Sequence, residues 1–239
     1  MTLRGPHISY EPVAALKRYK LVAFDVDGTL VGNRSQKVVW ELFNRHFCDN
    51  EAINQTRLKA YLAQEITYAR WVELDVSDWI AVGATRSEME RVIRQHLYLM
   101  PGAKETVERL RGAGYRLAVI SGTLDLTLSL LFPEHPFEEV FTNRLCFDAQ
   151  GRVSGWEATP FDMEGKADAL VEIAARMKID LDATVFVGDH INDTHVMRRA
   201  GLAIAFQPKR DEVREVADHE VDDLREVARL LIDELGSER

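Results

Sequence analysis

Four short apolar runs stand out along the chain: Leu21-Val22-Ala23-Phe24, Leu117-Ala118-Val119-Ile120, Thr184-Val185-Phe186-Val187 and Leu202-Ala203-Ile204-Ala205-Phe206. Continuous apolar runs of this length predict strands buried on both faces, as in a parallel sheet. Helical patterns separate them. Glu105 to Arg111 precedes the second run, with Gly112 and Gly114 as stop signals. Lys166 to Lys178 precedes the third, and Asp193 to Ala200 precedes the fourth, ended by Gly201. Alternation of this kind predicts an α/β sheet with helices on both faces.

The stretch from Arg34 to Tyr98 differs. It carries helical periodicity, as in Val38-Val39-Leu42-Phe43 and Met89-Val92-Ile93-Leu97, and no strand pattern. Met100-Pro101-Gly102 then breaks the chain before the α/β pattern resumes. This organisation predicts a helical cap, residues 34–98, inserted into a core built from residues 1–33 and 99–239. Asp148-Ala149-Gln150-Gly151 followed by Val153 predicts a small hairpin between Asn143 and Phe161. The run Asp211 to Arg239 reads as a charged closing helix on the core edge. Internal repeats and low-complexity tracts are absent from the sequence.

Composition narrows the functional classes. A net charge of -9 and a pI of about 5.3 argue against a nucleic-acid partner, which calls for a basic face. Cys48 and Cys146 have no spacing that suggests a disulfide framework or a metal site and read as reduced thiols. Met1 to Lys20 has no apolar signal-peptide core, and the sequence has no apolar run long enough to span a membrane. The expected location is cytoplasmic, with no membrane partner.

The chemistry concentrates where predicted strands end. Asp25-Val26-Asp27-Gly28-Thr29-Leu30 directly follows the first run. Residues i and i+2 leaving a strand point the same way, so Asp25 and Asp27 are expected to face one crevice. Two carboxylates that close repel, which calls for a cation or a shared proton. Gly28 permits a tight turn that brings N–H groups towards an anion. Ser121-Gly122-Thr123 follows the second run, where a hydroxyl and a glycine N–H suit a phosphate oxygen. Gly165-Lys166 opens a helix; it is not a P-loop, because Pro160 and Ala167 stand where that motif needs Gly and Ser or Thr. Gly188-Asp189-His190-Ile191-Asn192-Asp193 follows the third run. Its oxygen ligands suit Mg²⁺.

Taken in order, these four motifs resemble those of the haloacid dehalogenase superfamily. Pro101-Gly102-Ala103 through Gly122, Asn143-Arg144-Leu145, Glu164-Gly165-Lys166-Ala167 and Gly201 to Phe206 resemble its phosphoserine-phosphatase-like branch. The resemblance implies a Rossmann-like parallel sheet core with an inserted helical cap. It also implies a Mg²⁺-dependent hydrolase of a small phosphomonoester. In that reading Asp25 is the nucleophile that becomes an aspartyl phosphate, and Asp27 is the acid and base. Lys166 offsets charge, while Ser121, Gly122 and Asn192 hold phosphate oxygens. Asp25, the carbonyl of Asp27, Asp189 and Asp193 hold the metal, the last directly or through water.

The substrate is less determined. Phosphoserine phosphatases usually carry a glutamate nine residues after the nucleophile, where this chain has Arg34, and a cap arginine, absent here between Trp71 and Val82. Arg34 reads either as a contact for a second anionic group or as a solvated residue. Trp71, Trp79 and Tyr68 read as core or as pocket wall. Asp75 and Asp78 read as a solvated face or as a cation contact. His190 has no derived role. Other metabolite phosphates (amino alcohol, sugar or sulfur-metabolite), a phosphotransferase acting on alcohols, and a silent binding protein are the competing readings.

Overall fold

A computed structural model describes residues 18–35, 37–50 and 52–235. The absence of a targeting signal read from Met1 to Lys20 therefore lies outside the described residues for 1–17, as does the end of the C-terminal run, 236–239. The chain enters on β1 (Leu21–Phe24), buried throughout. It leaves along β2 (Val31–Asn33) into α1 (Val39–Cys48), α2 (Ala52–Leu62), α3 (Tyr68–Ala81) and α4 (Arg86–His96), and returns on β3 (Leu97–Leu99). β3 corrects the reading of this stretch as strand-free: Val31 pairs with Leu99 and Asn33 with Leu97, antiparallel. The outgoing and returning chain are tied side by side, so the four helices hang from a two-stranded neck. Local chemistry sets where the helices start. Thr85 accepts from the Glu88 N–H at 3.3 Å, and Glu88 Oε2 accepts from the Thr85 N–H at 3.3 Å, a reciprocal cap on α4.

After the neck come α5 (Ala103–Gly112), β4 (Arg116–Leu124) and α6 (Asp125–Leu131), then a hairpin of β5 (Glu139–Phe147) and β6 (Val153–Glu157). α7 (Lys166–Met177), β7 (Thr184–Gly188), α8 (Thr194–Met197) and β8 (Leu202–Phe206) follow. α8 is shorter than the predicted helix from Asp193 to Ala200: a 3₁₀ turn takes Asp193 at its start, and residues 198–200 turn away at its end. The C-terminal run is not one helix. It divides into α9 (Asp211–Arg214), β9 (His219–Val221) and α10 (Leu224–Arg229), because residues 219–221 pair with β8, Ile204 opposite His219.

The seven-stranded sheet runs β6-β5-β4-β1-β7-β8-β9. All its pairs are parallel except β5 with β6. Side chains alternate between its faces with period two. Val22, Phe24, Val119, Val187 and Ile204 join the larger core with the α1, α3 and α4 side chains and with α5 and α10. Leu21, Ala23, Ala118, Phe186 and Ala203 face α7 and α8. The alanines on this second face leave room for the helices to pack close. The net result is that β1, β4 and β7 lie adjacent and end on one edge, which brings the three strand-end motifs together. Among the described residues, no helix is long and apolar enough to cross a membrane.

Candidate active site

Asp25 continues β1 at its carboxyl end and is 4% exposed. Its backbone N–H donates to the Val187 carbonyl at 2.9 Å, which ties it to the end of β7. Gly28 has φ +98°, and a Cβ there would collide with the Asp189 carboxylate, so the turn after Asp27 requires glycine. From the opposite side, Lys166 at the start of α7 is wholly buried. Its Nζ donates to Asp25 Oδ1 at 2.6 Å and to Asp193 Oδ1 at 2.7 Å. Asp193 Oδ2 accepts the backbone N–H groups of Asp189 at 3.1 Å and His190 at 3.0 Å. Both Asp193 oxygens are thus engaged, and the carboxylate fixes the turn as well as the lysine. Asp189 accepts from the Thr29 hydroxyl at 3.3 Å and from Lys209 Nζ at 2.7 Å.

Asp25, Asp189 and Asp193 are all buried and offer oxygen atoms within 4.8 Å of one another. Hard oxygen donors gathered out of water fit a hard divalent cation, and the surplus of negative charge calls for one. The electrostatics agree. Burial raises the Asp25 carboxyl, Lys166 pulls it back and Asp193 pushes it up again, to about 6. Burial and then the Asp25 charge push Asp27 up to about 7, against the pull of the Thr123 hydroxyl. Burial and Asp25 raise Asp189, which Lys209 opposes. Burial alone would lower the Lys166 ammonium, but Asp193 and Asp25 outweigh it and hold it above its ordinary range.

These shifts carry a pH prediction for the metal-free chain. A carboxyl whose pKa is higher in the fold than unfolded favours the fold when protonated, so its contribution is lost as pH rises. The windows run from the ordinary 3.8 to about 6 for Asp25 and to about 7 for Asp27. In EDTA, the melting temperature is therefore expected to be higher near pH 5 than near pH 8 (both approximate), and added Mg²⁺ is expected to flatten the difference. A metal-free melting temperature that climbs over the same rise in pH would contradict it.

The site opens into a cavity of about 350 Å³. Its floor carries Asp25, Asp27, Ser121, Gly122, Asp189 and Asn192, all of them residues expected from sequence. Ser121 is buried and its Oγ accepts from the Thr123 N–H at 3.3 Å. The Gly122 carbonyl accepts from Trp40 Nε1 at 2.9 Å and from Asn143 Nδ2 at 2.8 Å, which pins this turn to α1 and β5. Helices α1, α2 and α3 add Trp40, Asn54, Tyr68, Trp71 and Asp75 to the wall, so the segment between β2 and β3 covers the strand ends.

Other expectations resolve differently. Arg34 does not line this cavity. It lies in the turn just beyond β2, is exposed, and borders a second cavity of about 330 Å³ with Gly28, Lys37, Tyr98 and Gln207. Trp79 is core, wholly buried, its Nε1 donating to Asn44 Oδ1 at 2.8 Å. Tyr68 and Trp71 are wall. Asp75 is buried rather than part of a solvated face, and both Asp75 and Asp78 pair with Arg57 of α2. His190 lines the cavity. Sequence reasoning missed Lys209, Asp162, Asn54 and Arg57. A signal existed only for Lys209, which follows the carboxyl end of β8 just as the motif aspartates follow β1 and β7.

Comparison with known proteins agrees with this geometry. Phosphoserine phosphatase SerB2 of Mycobacterium tuberculosis is 33% identical over 85% of this chain and 48% of its own length. The phosphoserine phosphatase of Archaeoglobus fulgidus is 32% identical over 90% of this chain and 60% of its own. The chain thus spans about half to three fifths of the length of these relatives. Among solved structures, a phospho-aspartyl intermediate analogue of phosphoserine phosphatase superposes with a TM-score of 0.70 at 28% identity, covering 90% of this chain and 100% of the other. The family model of haloacid dehalogenase-like hydrolases matches residues 22–198, which include all four motifs and the helices between β2 and β3; the chain belongs to that family.

Proposed function

We propose that the protein is a cytoplasmic, Mg²⁺-dependent phosphatase that hydrolyses a small phosphomonoester through an aspartyl phosphate on Asp25. The observation that carries this reading is the buried Asp25–Lys166–Asp193 bridge with Asp27 beside it. Lys166 orients one Asp25 oxygen and screens its charge, leaving the other oxygen to attack phosphorus. As the phosphorus–oxygen ester bond breaks, Asp27 delivers its proton to the departing alcohol oxygen. A pKa raised to about 7 keeps that proton available near neutrality. Asp27 then takes a proton from water, whose oxygen attacks phosphorus. The bond to Asp25 breaks, freeing inorganic phosphate and restoring the carboxylate. Ser121, Gly122 and Asn192 hold the phosphoryl oxygens. Asp25, the Asp27 carbonyl and Asp189 would hold Mg²⁺, with Asp193 anchoring the turn that presents Asp189. When bound, the ion supplies positive charge against the phosphoryl oxygens. Residues 34–98 act as the cap that excludes water and large substrates from the cavity.

Phosphate release from a panel of metabolite phosphates, with Mg²⁺ and with EDTA, checks this. Release is expected on at least one compound, with chelation lowering it by at least about 10²-fold. Folded protein that releases phosphate from none of them would sink the phosphatase reading. Transfer to added alcohols in excess of hydrolysis would redirect it to a phosphotransferase.

A further inference from the structure

Two acceptors are stranded in the cap side of the cavity. Asp75, 1% exposed, has no hydrogen-bond partner for Oδ2, and Asn54, 8% exposed, has none for Oδ1. Both residues line the cavity. Asp75 Oδ1 is occupied, accepting from Arg57 and from Asn44 Nδ2 at 3.0 Å. The Trp71 indole also draws on the Asp75 carboxylate without completing a hydrogen bond. Stranded buried acceptors are costly, and a side chain on a cavity wall gains by turning such an oxygen onto a donor that enters.

Charge selects among donors. Arg57 is shared between Asp75 and Asp78, so the trio keeps one net negative charge, one cation against two carboxylates. Among the described residues that line the cavity, Lys209 supplies the lone lysine or arginine side chain, and it is committed to Asp189. Asp162, also on the wall, lies at the floor against Gly122 and leaves the charge balance of this corner to the trio. The distal end therefore offers acceptors and negative charge, and no cation for an anionic group. Trp71 and Tyr68, with ring centres 6.5 Å apart, give this corner aromatic edges and faces that also favour a cation.

We infer that Asn54 and Asp75 form a specificity subsite for an N–H-bearing ammonium group, so that the preferred substrate is the phosphomonoester of an amino alcohol lacking a carboxylate. This rests on the phosphatase reading. A primary ammonium gives N–H donors to both stranded oxygens. A quaternary ammonium satisfies the charge but neither acceptor. A neutral polyol satisfies the acceptors but not the charge. An amino acid phosphate brings its carboxylate into a corner that is already anionic.

The test compares kcat/KM for phosphoethanolamine, phosphocholine, glycerol 3-phosphate and L-phosphoserine in the Mg²⁺-loaded protein. Phosphoethanolamine is expected to exceed each of the others by about tenfold or more, as a charge-assisted buried hydrogen bond warrants. In Asn54→Leu and in Asp75→Asn, the ratio of phosphoethanolamine to glycerol 3-phosphate is expected to fall about tenfold. A structural role would lower both substrates together and leave the ratio intact. The leucine variant keeps the side-chain size, so it serves if Asp75→Asn, which disturbs Arg57, does not fold. Equal rates on phosphoethanolamine and glycerol 3-phosphate, as water filling the corner would give, overturn the subsite while leaving the phosphatase reading standing. Preference for L-phosphoserine does the same. Hydrolysis of none of the four, with other phosphomonoesters hydrolysed, overturns it as well. Hydrolysis of no phosphomonoester at all removes the phosphatase reading and the subsite together.

Discussion

Asp25→Asn is expected to lower steady-state phosphate release by about 10⁴-fold or more and, in EDTA, to raise the melting temperature. The amide keeps the shape of the carboxylate, and its oxygen still accepts from Lys166. What it lacks is the negative oxygen that the proposed mechanism directs at phosphorus, and Asp189 and Asp193 are committed to Lys209 and Lys166. The stability gain follows from the same environment. Burial and the Asp193 charge already push the Asp25 carboxyl up to about 6, so near neutrality the fold carries an ionised group that it disfavours. Removing that charge relieves burial and repulsion together, at the loss of one charged partner for Lys166. A rise of a few degrees is the expected scale, about 2–4 °C for each kcal/mol in a chain of this size. Phosphate-release kinetics and thermal melting of the same preparation check both parts. Turnover within about tenfold of the parent would reject Asp25 as nucleophile. A lowered melting temperature would mean that its bond to Lys166 outweighs its burial.

That opposition between stability and activity explains what the sequence could and could not reveal about the site. DVDGT, SGT, GK and GDHIND were legible because each requires a residue type that local structure alone would not choose there. Asp25 and Asp189 at the ends of buried strands, and Lys166 at a helix start where the dipole disfavours it, are conflicts that only the assembled site resolves. The strands β1, β4, β7 and β8 were legible for the opposite reason, since local pattern and tertiary burial agree. β9 was not. Ala217 to Val221 carries helix-compatible residues within a charged run, and only the open edge of β8 makes it a strand. The segment between β2 and β3 shows the same limit. Its helices follow from periodicity, but the Arg57 pairs join residues 18 and 21 positions apart on different helices, beyond any local pattern. The division of α3, Trp79 into the core and Trp71 into the cavity wall, likewise needed the position of α1. Asn44 there meets the Trp79 N–H and also donates to Asp75.

Lys166→Met is expected to have the largest combined effect. The side chain is wholly buried, so its ammonium is the counter-charge for Asp25 at 2.6 Å and Asp193 at 2.7 Å and has no role at the surface. Methionine fills the space occupied by the lysine stem and removes the charge alone. Two buried carboxylates then face each other without a cation. Breaking a buried pair in this way costs about 3–5 kcal/mol, equivalent to a fall of roughly 6–20 °C in melting temperature. Turnover is expected to drop by at least about 10²–10³-fold, because an oriented donor beside the reacting group is gone. Added Mg²⁺ should restore part of the stability, by supplying positive charge to the same cluster, and little of the activity. The double variant Asp25→Asn, Lys166→Met separates the two contributions: with one of the two stranded carboxylates neutralised, it is expected to melt above Lys166→Met alone. If Lys166→Met melts within a degree or two of the parent, the bridge contributes nothing to the fold. If the double variant melts lower still, the destabilisation comes from lost packing around residue 166 and not from uncompensated charge.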